Sequence, residues 1–143
     1  MTRLLIFALL MVATVVYAFW RGDRDSRLAA GVCVAALLLT QMVVHPVADR
    51  FGSVETGVVA VDIATLASFT VIALYSSRFW PLWVAGLQLT TSIGHLLKAI
   101  DWSLVPRAYA VATIFWSYPI LIIIAVGAWR ADRRRRAAGH PTA

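Results

Sequence analysis

The chain has little of what a soluble or catalytic domain needs. It holds one cysteine, Cys33, so no intramolecular disulfide can form, and no Cys-His pattern suggests a structural zinc site. Charged residues make up 14% of the 143, against about 25% in a soluble domain. No phosphate-binding glycine loop, dinucleotide fingerprint, His-Glu-x-x-His or Gly-x-Ser-x-Gly elbow is present. There is no internal repeat, and an inverted repeat would need an even number of helices. Enzymatic function therefore has no local signature, and the chain reads as a non-enzyme.

What is abundant is apolar length. Hydrophobic residues reach 61%, concentrated in five runs: Leu4–Trp20, Leu28–Val44, Gly57–Tyr75, Pro81–Ile100 and Ala108–Trp129. Each approaches the roughly 17–25 residues that carry a helix across about 30 Å of hydrocarbon. The expected fold is an all-α integral membrane bundle of five transmembrane helices. They span about residues 4–20, 28–45, 57–77, 80–100 and 106–130, in one domain over 1–136. Residues 137–143, small and polar, read as a disordered tail. About 110 residues then lie in or near the bilayer, and the roughly 30 that remain are too few for a separate soluble domain.

The net charge is +6, from 13 basic and 7 acidic residues, and twelve of the 13 are Arg. In a soluble protein such an excess would suggest nucleic acid. Here five arginines, Arg130, Arg133, Arg134, Arg135 and Arg136, follow the last run. A basic cluster just past a membrane helix marks the cytoplasmic side and meets anionic lipid headgroups. Nucleic-acid binding is not expected.

The first run also resembles a signal peptide, with Arg3 before it and Val16-Tyr17-Ala18 as a cleavage-like end. Cleavage would put the arginine-rich C-terminus outside. Retention puts Arg21–Arg27, Ser76–Arg78 and the tail inside, with nine basic residues against four outside. The positive-inside tendency thus favours five helices, with the N-terminus outside and the C-terminus cytoplasmic. The high arginine share suggests a GC-rich bacterial source, and so a bacterial inner-membrane location.

Ionisable groups inside a bilayer are costly and are commonly paired or functional. Asp62 lies in the third run; His95 and Lys98 lie in the outer third of the fourth. Counting from Arg78 puts Asp62 and His95 at similar depth. On the fourth run Gln88, Thr91, Ser92, His95 and Lys98 follow one three-to-four-residue stripe; Glu55, Asp62, Thr65 and Ser68 form a similar one along the third helix. Gln41 and His45 end the second run, and Asp101 starts the outer link to the fifth. The candidate site is thus a polar pocket in the outer half of the bundle: Asp62, His95, Lys98, Gln88, Gln41, His45 and Asp101. A buried pair fixing helix packing is the plainer reading of the same residues. His45 and His95 also allow a bis-histidine haem b on depth alone. No other cofactor and no metal is expected.

Gly31 and Ala35 put small residues on one face of the second helix, where another backbone could approach. Pro119 is expected to kink the fifth helix. The first helix is almost wholly apolar and reads as peripheral to a core of helices two to five. Tiny loops, a plain first helix and missing catalytic motifs favour an accessory or interaction subunit, with a membrane-protein partner or a second copy of the chain. A small transporter, channel or sensor using the polar pocket is the alternative, and a haem-binding electron carrier the third.

Overall fold

The computed structural model describes residues 2–44, 53–100 and 106–138, with side chains over 5–43, 57–94 and 117–138. All regular structure among these is helical: α1 (Thr2–Arg21), α2 (Arg24–Val44), α3 (Ser53–Tyr75), α4 (Trp80–Ile100) and α5 (Pro106–Ala138). There is no strand among the described residues. Consecutive helices pack on one another, most extensively α3 on α4, and α5 returns to pack on α1 and α2. The five helices therefore close into a ring.

That closure corrects one expectation. α1 is not peripheral: it lies between α2 and α5. Phe7, Met11, Thr14 and Ala18 recur at heptad spacing, and the last three are buried. The Phe7 ring meets Tyr118 of α5 edge-on, with centroids 5.7 Å apart. The buried face of α1 holds Thr14 and Ala18 while Leu5, Leu9 and Val12 are exposed, so its stripe is the inverse of the one a soluble helix presents.

Helix ends depart from the apolar runs because capping uses polar residues outside them. α2 starts at Arg24, four residues before its apolar run. Asp23 caps it, accepting from the Ser26 amide at 3.1 Å and from Ser26 Oγ at 2.7 Å. At the other end of the chain α5 runs on to Ala138, 33 residues in all and unbroken through Pro119. That is about 50 Å at 1.5 Å per residue. Arg and Ala are strong helix formers, and cations in a last turn suit the helix dipole. Ala137 and Ala138 are therefore helical and not part of a disordered tail; residues 139–143 lie outside the described residues.

The overhang of α5 locks one end of the ring. Asp132 is 6% exposed. It pairs with Arg136 at 2.7 Å and with Arg21 of α1 at 3.6 Å. Arg135 donates to the Arg21 carbonyl, and Arg134 reaches Asp23 at 3.8 Å. Ser76, in the α3–α4 link, donates to Asp25 of α2 at 2.5 Å. Both tight links and the α5 C-terminus thus meet at one end, which carries nine arginines and three aspartates.

Two kinds of surface follow. The buried set includes Thr14, Thr65, Gln88, Thr91 and Ser92, while large apolar side chains point outward on every helix. Leu9, Leu38, Ile63, Leu89 and Ile122 are examples. Among the described residues two helical stretches, Arg24–Val43 and Gly57–Tyr75, are long and apolar enough to cross a membrane. The apolar part of α1, Leu5–Arg21, is shorter. α4 carries its polar stripe within its span, which lowers its hydropathy.

Small residues matter where backbones meet. Ala18, Ala29, Ala30 and Ala128 are buried in the core with Phe69, Val84 and Ile124. Gly31 is different: a Cβ there would meet nothing within 4 Å. Gly31 thus has open space beside it among the described residues, and Ala35 is exposed on the same face. Gly22, in the two-residue α1–α2 link, is crowded; a Cβ would lie 2.2 Å from the Ala18 carbonyl oxygen and 2.9 Å from Ser26 Cβ. Gly127 similarly makes room for the Trp80 ring, 2.8 Å from its would-be Cβ.

Two predictions follow from this end of the ring. Gly22→Ala is expected to lower stability by about 1–3 kcal/mol, as overpacking does, whereas Gly31→Ala is neutral or slightly stabilising. Retention of the monodisperse gel-filtration peak after heating measures both. The second concerns pH. The hydrogen bond from Arg136, reinforced by the nearby charges of Arg136, Arg21 and Arg135, holds the Asp132 carboxyl below its ordinary range, against the opposing effect of burial. A carboxyl depressed in the folded state stabilises above its unfolded pKa, about 3.9, and loses that contribution as pH falls further. Asp132→Asn should therefore flatten the acid limb of the stability curve below about pH 4 and lower the neutral plateau.

Candidate functional site

The helical ring holds a partly open cavity of about 190 Å³. Every helix lines it: Phe7 and Met11 from α1, Cys33 to Thr40 from α2, Asp62, Thr65 and Phe69 from α3, Gln88 and Thr91 from α4, and Ser117 to Leu121 from α5. At about 30 Å³ per water it has room for roughly six waters. It is smaller than the roughly 300–1,000 Å³ of clefts that take drug-sized ligands.

Asp62 organises one wall. Gln88 Nε2 donates to Asp62 Oδ1 at 3.3 Å, and Ser92 Oγ to the Asp62 carbonyl at 3.4 Å. Both bonds cross from α4 to α3, so the polar stripe of α4 faces Asp62. The depth follows from the hairpin. Asp62 lies 13 residues before the end of α3 and Ser92 lies 12 after the start of α4. Counting through the link residues, which add no axial rise, shifts the expected level partner towards His95.

The hydroxyls are mostly turned to their own helices. Thr65 Oγ1 donates to the Val61 carbonyl at 2.8 Å and Thr91 Oγ1 to the Leu87 carbonyl at 3.2 Å. Such back-bonding uses the one hydroxyl proton and leaves oxygen lone pairs for a guest. The chamber thus presents a carboxylate, an amide and hydroxyls on one side and Phe7, Met11, Phe69 and Ile120 on the other. It can hydrogen-bond a small polar solute, or hold water or a hydrated ion. No group of three His, Cys, Asp or Glu side chains poised for a metal exists among the described residues.

The sequence-derived candidates divide. Asp62 and Gln88 line the cavity together. Gln41 does not; its side chain is exposed, and Thr40 takes the inward place beside it. His95 and Lys98 belong to α4, but their side chains lie outside the described residues, as do His45 and Asp101 entirely. The bis-histidine pair therefore falls outside the described residues. Cys33, Thr40, Ser117 and the α1 residues Phe7 and Met11 were not among the pocket candidates. Cys33, Ala36, Leu37 and Thr40 do share one face at helical spacing. That was the available signal, masked by the more polar Gln41 and His45 one position on.

Asp62 is the acceptor for a buried amide, so shape alone cannot replace it. Asp62→Leu is expected to destabilise by about 1–3 kcal/mol, the cost of leaving Gln88 without its acceptor. Asp62→Asn keeps an acceptor oxygen and should cost clearly less. Thermal unfolding of the two purified variants in one detergent measures the difference.

Compared with protein-family models, curated proteins and solved structures, the chain matches none.

Proposed function

We propose that this chain is a multi-pass membrane protein with five spans, its N-terminus outside and its arginine-rich end in the cytoplasm. We propose further that its cavity binds a small polar ligand or ion, as a small transporter, channel or sensor would. The inverted distribution of polarity supports the membrane part. Of the two stretches among the described residues that are long and apolar enough to span, only 17% and 28% is buried, whereas a core helix of a soluble protein would be mostly buried. Tyr75, Phe79, Trp20, Trp83 and Trp129 are all exposed around the arginine-rich end, where interfacial aromatics belong. An apolar surface on all five helices, belted by aromatics and closed by arginines, suits lipid and not water. The bacterial inner membrane is the matching location.

The cavity carries the functional part. An ionisable side chain in a span is expensive, and Asp62 is set into a chamber that all five helices shape. Packing two helices together needs only the Asp62–Gln88 contact; it does not need room for several waters beside it.

An accessory-subunit reading has one observation of its own. The Gly31–Ala35 face of α2 is open among the described residues and suits close approach by a partner helix or a second copy.

Reconstitution into liposomes separates the two. Flux is followed with dyes for pH and for monovalent cations. The pocket reading expects flux that Asp62→Asn reduces about tenfold or more while the amount of folded protein is kept. Unchanged flux per folded molecule would make Asp62 structural. No flux from the wild type, together with a membrane protein co-purifying in equal amount, would replace the pocket reading by the accessory one.

A further inference from the structure

The arginines of the locked end are not equivalent, and their division marks a second site. Arg133 lies over the Trp129 ring, 4.9 Å from its centroid, and Arg136 is committed to Asp132 at 2.7 Å. Arg78, Arg134 and Arg135 instead line a cleft of about 230 Å³ with Asp23, Ala131 and Ala138. The cleft lies between the α3–α4 link and the last turns of α5.

Its charge is not balanced from within. Three guanidinium groups face one carboxylate, and that carboxylate is engaged elsewhere. Asp23 Oδ1 caps α2, and Oδ2 meets Arg134 only at 3.8 Å. Arg135 gives one nitrogen to the Arg21 carbonyl and keeps other donors. Arg78 is half-buried and forms no ion pair among the described residues. The C-terminus of α5 adds partial negative charge nearby, so attraction of an anion falls to the guanidinium groups.

We infer that this cleft binds a phosphate group, held by Arg78 together with Arg134 and Arg135. Guanidinium forks pair with phosphate oxygens through two parallel hydrogen bonds, and arginines from two separate elements surround a tetrahedral anion better than one flat patch. The ligand is the headgroup of an anionic lipid or a soluble phosphate ester. The exposed aromatics around this end favour the lipid source, which rests on the membrane reading above. The phosphate site itself does not. Arg78 separates this site from diffuse attraction by the basic tail, because it lies 52 residues before Arg130 in the chain.

The test uses the full chain in a neutral detergent, titrated with phosphatidic acid or phosphatidylcholine and read by native mass spectrometry. Saturable binding of one phosphatidic acid, and none of phosphatidylcholine, is expected. Arg78→Gln should weaken it about tenfold, Arg78→Lys less, and Arg133→Gln under about twofold. Competition by glycerol 3-phosphate would show that the phosphate suffices, and its failure that the acyl chains are needed. Both results fit the site. Absence of a saturable site in the wild type overturns the proposal, as does equal weakening by Arg78→Gln and Arg133→Gln. Neither result bears on flux through the Asp62 cavity.

Discussion

The inward aim of the α4 polar stripe is the constraint on which the rest of the bundle depends. Gln88, Thr91 and Ser92 are buried on one face of a helix whose exposed residues include Leu82, Trp83, Leu89 and Ile93. In an apolar environment an amide without a partner costs several kcal/mol by transfer measures. That face must therefore meet another polar group, and Asp62 of α3 supplies both a carboxylate and a carbonyl. Once α3 and α4 are fixed about this contact, the buried series Val61, Thr65, Phe69 and Ile72 of α3 and Val84 of α4 point to the bundle axis. The apolar remainder then faces outward by default.

A stripe of this kind explains why some of the architecture was legible in sequence and some was not. Where polar residues recur at helical spacing, as at Gln88, Thr91 and Ser92, direction can be read, and the pairing of Asp62 with α4 follows. α1 carries the signal in reverse: its inward residues Phe7, Met11, Thr14 and Ala18 are on average less apolar than its outward Leu9, Val12 and Val16, opposite to the pattern of a soluble helix. Packing within the ring selects that face through shape and the Phe7–Tyr118 contact. Direction was misread at Gln41, where polarity pointed to one residue and helical phase to its neighbour Thr40.

Boundaries failed for a different reason. Apolar length measures where a helix could contact hydrocarbon, and helix formation continues as long as propensity and end contacts favour it. Asp23 starts α2 ahead of its apolar run, and the arginine tail extends α5 well past its own. Charge in the tail was read as a topology signal, which treats the arginines as interchangeable. Their contacts are not. Asp132 and Trp129, each spaced four residues from its arginine, draw Arg136 and Arg133 away from the cleft.

The two polar regions sit at different levels of one helix, and this shapes how they can relate. α5 lines the cavity through Ser117, Ile120 and Leu121 and lines the arginine cleft through Ala131, Arg134 and Arg135. Ser117 and Arg134 are 17 residues apart, about 25 Å along the axis at 1.5 Å per residue. Between them the helix is held by Ile124, Gly127 and Ala128, buried against the core and against Trp80. A tightly packed segment of this kind transmits a rigid displacement better than a local one. Coupling between the sites would therefore require α5 to move as a unit against α1 and α4. The Asp132–Arg21 and Arg135–Arg21 contacts tie it to α1 and oppose that movement.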